Sequence, residues 1–204
     1  LSSLKSFLVG GELGRVLSAR CVWLNRAMRL PRTTWRQRPE EAGGGALMDL
    51  GVQALDLALW VLGSPAVRRV TALTHGRPGQ VEDAATLLLE LDGGAALTVE
   101  VTWELFAGDD RRRLRVLGSE GSGSLPPLQI FKQLGGRPLE VTPRQPQPRG
   151  GESLFVNAYR REIDHFLRSA RGEADAPPPV EQVALMEVVR AAYRSAAEGR
   201  EVEL

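Results

Sequence analysis

The chain has 204 residues, 43% of them hydrophobic, with 26 basic side chains against 25 acidic ones and a net charge of +1. That balance describes an ordinary soluble globular protein, and near-zero charge with few aromatics argues against a nucleic-acid binder. Cys21 is the sole cysteine, so no internal disulfide forms and a reducing cytoplasm is the expected compartment.

The chain opens on Leu1-Ser2-Ser3-Leu4, with neither an initiator Met nor a signal-peptide layout. It therefore reads as part of a longer polypeptide. Residues 3–9 read as the end of a helix, and Val16–Leu24, rich in β-formers, as a strand. Asn25–Glu41, with its Arg, Pro and Thr, reads as a loop anchored by Trp35.

The central stretch follows. Gly43-Gly44-Gly45 allows a tight turn and close approach to a neighbour. A helix is expected from about Gly45 to Leu62, with Gly63 placed for a left-handed stop. At helical spacing Asp49, Gln53, Asp56 and Trp60 share one narrow stripe, and most of the remaining circumference is apolar. Such a helix belongs in a core. Its polar stripe then needs partners or a wet cleft, because unpaired buried charge is costly. Two structural readings stand beside the pocket reading: Asp49 meeting the helix dipole and Asp56 bonding a neighbouring loop. These same polar residues interrupt the longest apolar run, so no membrane span is indicated.

Strand signals come next in series, at Val67–Thr74, Ala84–Leu91 and Ala95–Leu105, with a hairpin turn at Asp92-Gly93-Gly94. Leu97, Val99, Val101 and Trp103 alternate with Thr98, Glu100, Thr102 and Glu104, giving one apolar and one polar face. Further strands are expected at Arg113–Leu117, Leu128–Leu134 and Leu139–Thr142. The basic cluster of Arg111, Arg112, Arg113 and Arg115 reads as a solvated strand start or a subunit salt-bridge edge. Pro143–Gly151 reads as a stiff exposed connection. A helix over Ser153–Arg171 carries Phe155, Tyr159, Ile163, Phe166 and Ala170 as its core stripe. Pro177-Pro178-Pro179 leads into a last helix over Val180–Glu198, and Glu201–Leu204 closes as a strand.

Strands in series, with helices before and after, predict an α+β fold: an open, mostly antiparallel sheet with helices packed on one face. A single domain over residues 1–204 is expected. Neither His75 nor His165 has Cys or Glu at ligand spacing, so no metal site is expected. No G-x-G-x-x-G stands between a strand and a helix, so no dinucleotide-binding Rossmann unit is expected in this chain.

The set Gly43-Gly44-Gly45, Asp49, Gly51, Asp56, Trp60 and Gly63 resembles the signature of the C-terminal domain of the glucose–fructose oxidoreductase / inositol dehydrogenase / MocA (GFO/IDH/MocA) family. The likeness extends to Gly11-Glu12-Leu13-Gly14-Arg15-Val16, Trp35-Arg36, Glu82-Asp83-Ala84, Leu117-Gly118-Ser119-Glu120-Gly121-Ser122 and the closing Ala192–Leu204 segment. The resemblance implies a dihydrodipicolinate-reductase-like C-terminal fold preceded by a dinucleotide-binding domain. It also implies NAD or NADP in the intact protein, with none expected on this fragment, and a sugar or polyol substrate. Homo-oligomers would form through the open sheet face.

The same resemblance makes Asp49 and Gln53 the catalytic candidates and Trp35, Arg36 and Asp56 the substrate-binding ones. Gln53 departs from the pattern, since it stands where the family carries its catalytic His and cannot exchange a proton near neutral pH. Three outcomes stay open: Asp49 takes the proton, a Lys outside this chain takes it, or the chemistry is lost and the protein only binds.

Overall fold

The computed structural model describes residues 1–27, 34–144, 153–175 and 178–204. They divide into two compact units, Leu1–Thr142 with Glu181–Leu204, and Pro143–Val180. Most of the expected connection Pro143–Gly151, and Pro177, lie outside the described residues.

In the first unit, among the described residues, one open sheet runs in the order β8-β7-β6-β5-β1-β4-β3-β2-β9. Its strands are Val16–Arg26 (β1), Val67–Gly76 (β2), Glu82–Leu91 (β3), Ala96–Leu105 (β4), Arg111–Gly118 (β5), Gly121–Leu125 (β6), Gln129–Leu134 (β7), Arg137–Glu140 (β8) and Val202–Glu203 (β9). Only β1 and β4 pair in parallel; every other neighbour is antiparallel.

Period-two alternation turns Ala19 and Cys21, Val70 and Ala72, Leu87 and Leu89, Val99 and Val101, and Leu114 and Val116 to one buried face. Burial there pushes the Cys21 thiol up to about 12. The opposite face carries Arg20, Thr86, Leu88, Arg113 and Arg115, all exposed.

The helices are Ser2–Val9 (α1), Pro39–Ala42 (α2), Val52–Val61 (α3), Leu154–Ala170 (α4) and Val180–Glu198 (α5). Of these, α3 packs on β1 and β4, and α1 packs on α3. Ala54, Leu55, Ala58 and Val61 of α3 are fully buried. The run Pro39–Val61 has the length and apolarity of a membrane span, a composition that a buried core helix also requires. It ends as expected. Gly63 has φ +88°, Ser64 N donates to Leu59 O (2.8 Å) and Gly63 N to Trp60 O (3.2 Å), the paired bonds of a Schellman stop. Helix α5 is tied to the sheet by Ser195, whose Oγ accepts from Ala72 N at 2.9 Å and donates to Arg200 O at 2.6 Å.

Several expectations need correcting. The helix expected from Gly45 to Leu62 is not uniform: over Leu47–Gly51 it widens to a π turn, with Val52 N donating to Leu47 O. Gly121–Leu125 is a strand, in a stretch where none was expected. The last hairpin turns on Gly135 and Gly136 alone, with φ of +57° and +77°. That pair twists with the strands and draws β8 forward to Arg137. Finally, the stripe of Phe155, Tyr159, Ile163 and Phe166, read as core, is between 52% and 69% exposed. Helix α4 is the single described helix lying wholly in its unit, and one helix cannot bury its own stripe.

Candidate functional site

The buried face of the sheet changes character at one end. On β1 the inward positions run Ala19, Cys21, Trp23, Asn25; on β3, backwards, Leu87, Ala85, Asp83; on β4, Val99, Val101, Trp103. The registers Leu24↔Thr102 and Ala84↔Thr102 set these three ends side by side. The β1–β4 register slips between Leu24 and Arg26, the kind of irregularity that re-aims a side chain next to a site. Asparagine, aspartate and an indole N–H thus replace aliphatic groups on adjoining strands.

Above them sits the π turn, in contact with β3 and β4. Trp103 Nε1 donates to Asp49 Oδ2 at 3.0 Å. The two residues line a cavity of about 140 Å³ together with Asn25 and Asp83. Arg26 and Glu104 close its strand side, and Thr34, Arg36 and Gln37 its loop side. Among the described residues its charged lining is three carboxylates and two guanidiniums. Arg26 Nη1 is committed to Gly108 O at 3.0 Å. Two residues of this lining, Asn25 and Gln37, have their amide oxygens buried with no hydrogen-bond partner among the described residues.

The glycine-rich entry to the π turn is shaped by Glu82. Its Oε1 accepts from Gly45 N (2.9 Å), Leu47 N (3.0 Å) and the Tyr193 hydroxyl (2.7 Å). A carboxylate is well matched to the positive end of a helix. Burial, and then the bond to Glu82, push the Tyr193 phenol well above its usual range. A Cβ on Gly45 would lie 2.0 Å from Glu82 O, and one on Gly44 would lie 2.3 Å from the Tyr193 oxygen. The close approach, more than the backbone dihedral, demands glycine here.

Of the residues picked out in the sequence, Asp49 and Arg36 meet in the cavity. Trp35 is 56% exposed, with the Arg36 guanidinium 5.6 Å from its ring centre. Gln53 is exposed, and its Nε2 donates to the main-chain oxygen of Asp49 at 2.8 Å. Asp56 is exposed on α3; neither it, Gln53 nor Trp35 lines the cavity. Asn25, Gln37, Asp83 and Trp103 were missed as site residues. The available signal was a polar residue ending an otherwise apolar inward register on β1 and β3.

A carboxylate is thus presented from a glycine-led helical turn over an open α+β sheet. Residues 2–124 match the GFO/IDH/MocA C-terminal domain, and the chain belongs to that family. It is 30% identical over 201 residues to the D-xylose 1-dehydrogenase (NADP(+)) 2 of Haloferax volcanii, covering 97% of this chain and 59% of that protein. It is 27% identical over 183 residues to the D-glucoside 3-dehydrogenase of Escherichia coli K12, covering 81% of this chain and 50% of that one. The crystal structure of GenD2 from gentamicin A biosynthesis, in complex with NAD, superposes with a TM-score of 0.74 at 30% identity. That match covers 100% of this chain and 60% of GenD2. The chain therefore spans 50% to 60% of the length of these three proteins.

A dinucleotide does not fit the glycine-rich stretch of this chain. The N–H groups of Gly45 and Leu47, which could otherwise face a phosphate, already serve the Glu82 carboxylate.

Proposed function

We propose that this chain is the substrate-binding and oligomerisation domain of an NAD(P)-dependent oxidoreductase acting on a sugar, polyol or related hydroxy compound. The dinucleotide is held by another part of the intact protein. One observation carries the reading: the Asp49 carboxylate borders a cavity, with Oδ2 committed to Trp103 and Oδ1 without a partner among the described residues. An acceptor so placed can take a hydrogen bond, and then the proton, from a substrate hydroxyl. Arg36 adds a forked donor on the loop side. The test is Asp49→Asn in the intact protein, assayed with a panel of sugars and polyols by nicotinamide absorbance. Turnover is expected to fall by about 10²–10⁴-fold, the usual worth of a positioned base. Unchanged turnover removes Asp49 from the reaction.

A second reading, a binding or assembly module without catalysis, draws on Gln53. Its amide is spent on the Asp49 main chain and carries no titratable proton. Gln53→His in the intact protein separates the two: a large gain on the same panel favours lost chemistry, and a loss favours a working Gln53.

The proposal also takes the outer sheet face as the contact between copies. Leu73, Leu88 and Leu117 are exposed there, beside an Arg20–Glu100 ion pair at 2.9 Å and the Arg113 and Arg115 guanidiniums. Monomers by light scattering at every concentration would remove this part.

A further inference from the structure

We infer that Asn25 and Gln37 are specificity-determining residues, whose side-chain amides each receive one hydroxyl of a polyhydroxylated substrate. The inference rests on the reading of the Asp49 cavity as a substrate pocket and adds two residues to it.

Both residues line the cavity that Asp49 borders. Asn25 Oδ1 and Gln37 Oε1 are shielded from solvent and have no hydrogen-bond partner among the described residues. Buried amide oxygens left unpaired are uncommon, because the fold gives up a water hydrogen bond and regains none. Two residues bearing such oxygens line one small cavity, beside the Asp49 Oδ1 that has no partner among the described residues, and form the sparse convergent polar set of a ligand site.

Asn25 lies at the register slip of β1 against β4. Gln37 sits in a 3-10 turn over Trp35–Gln37, with its N–H donating to Thr34 O at 3.1 Å and its carbonyl accepting from Val81 N at 3.4 Å. An amide can both accept and donate, so either ring orientation of a hydroxyl is served. What completes the site is a ligand with several hydroxyls on neighbouring carbons; a ligand lacking one leaves an amide stranded, and such sites reject the deficient analogue strongly.

The test measures binding calorimetrically to the intact protein, using D-xylose, D-glucose and their single-deoxy analogues, with Asn25→Leu, Gln37→Met and Asp49→Asn variants. Each amide variant is expected to weaken the parent sugar about tenfold or more. Each should bind one particular deoxy sugar as the unaltered protein does, since the two deletions remove the same contact. Unchanged affinity in both amide variants, with Asp49→Asn weakened, overturns this inference and leaves the pocket reading standing. No sugar binding by the unaltered protein overturns both. The deoxy arm on the unaltered protein decides the matter where a variant fails to fold: indifference to every missing hydroxyl refutes the proposed contacts.

Discussion

Helices α3 and α4 both carry apolar residues at helical spacing, and they end in opposite surroundings. Ala54, Leu55, Ala58 and Val61 of α3 are 0% exposed, while Phe155 and Phe166 of α4 are 68% and 69% exposed. The difference lies in what each helix has beside it. The inner sheet face gives α3 a second apolar layer, whereas α4 shares its unit with no other complete described helix and no described strand. Helical periodicity identifies an apolar face; only a partner surface makes it a core.

The contrast can be broken or sharpened by measurement, and the largest effect belongs to α3. Leu55→Ala should cost about 3 kcal/mol by urea denaturation, as a buried leucine cut to a methyl leaves a cavity. Next comes the glycine entry to the same helix. Gly45→Ala forces a methyl into the Glu82 carbonyl and should cost about 2 kcal/mol by overpacking. Retained stability there would mean that the loop has slack the geometry denies.

The sheet layer under α3 gives a pH signature. The Cys21 thiol is raised to about 12 from the model-compound value of 9.0 by burial. A group whose folded value is raised contributes stability in full below the unfolded value and loses it as pH climbs toward the folded one. Between pH 9 and 12 the contribution should fall by up to about 1.4 kcal/mol per pH unit. Denaturation of Cys21→Ala over that window should show a correspondingly flatter slope, and an equal slope would mean the thiol is open to water.

The smaller effects belong to α4. Ser153 caps it, with Oγ accepting from Val156 N at 3.2 Å. Ser153→Ala should weaken the helix by about 1 kcal/mol, read as faster amide exchange over residues 154–170. Phe166→Ala should change stability by less than about 0.5 kcal/mol, as exposed positions do. A cost matching that of Leu55→Ala would show that α4 is covered after all.

Much of the fold was legible because it is written in local periodicities. The alternation from Leu97 to Trp103 gave the two faces of β4, Asp92-Gly93-Gly94 marked the β3–β4 turn, and Gly63 marked the end of α3. Strand β6 escaped because Gly121-Ser122-Gly123-Ser124 has none of the bulky residues that announce a strand; it is held by its neighbours β5 and β7. In the site, Asp49 was legible as a carboxylate on an oily helix. Asn25, Asp83 and Trp103 were not, because their meeting depends on strand register across distant segments. The widening at Leu47–Gly51 leaves no mark in composition at all.

One bond reaches farther than its length implies. Tyr193 completes the Glu82 carboxylate from 111 positions away, and that same oxygen anchors the turn bearing Asp49. During synthesis this turn stays one contact short until α5 emerges from the ribosome. Shortening the C-terminus, or appending a bulky fusion there, therefore becomes a way to disturb the pocket without touching any residue that lines it.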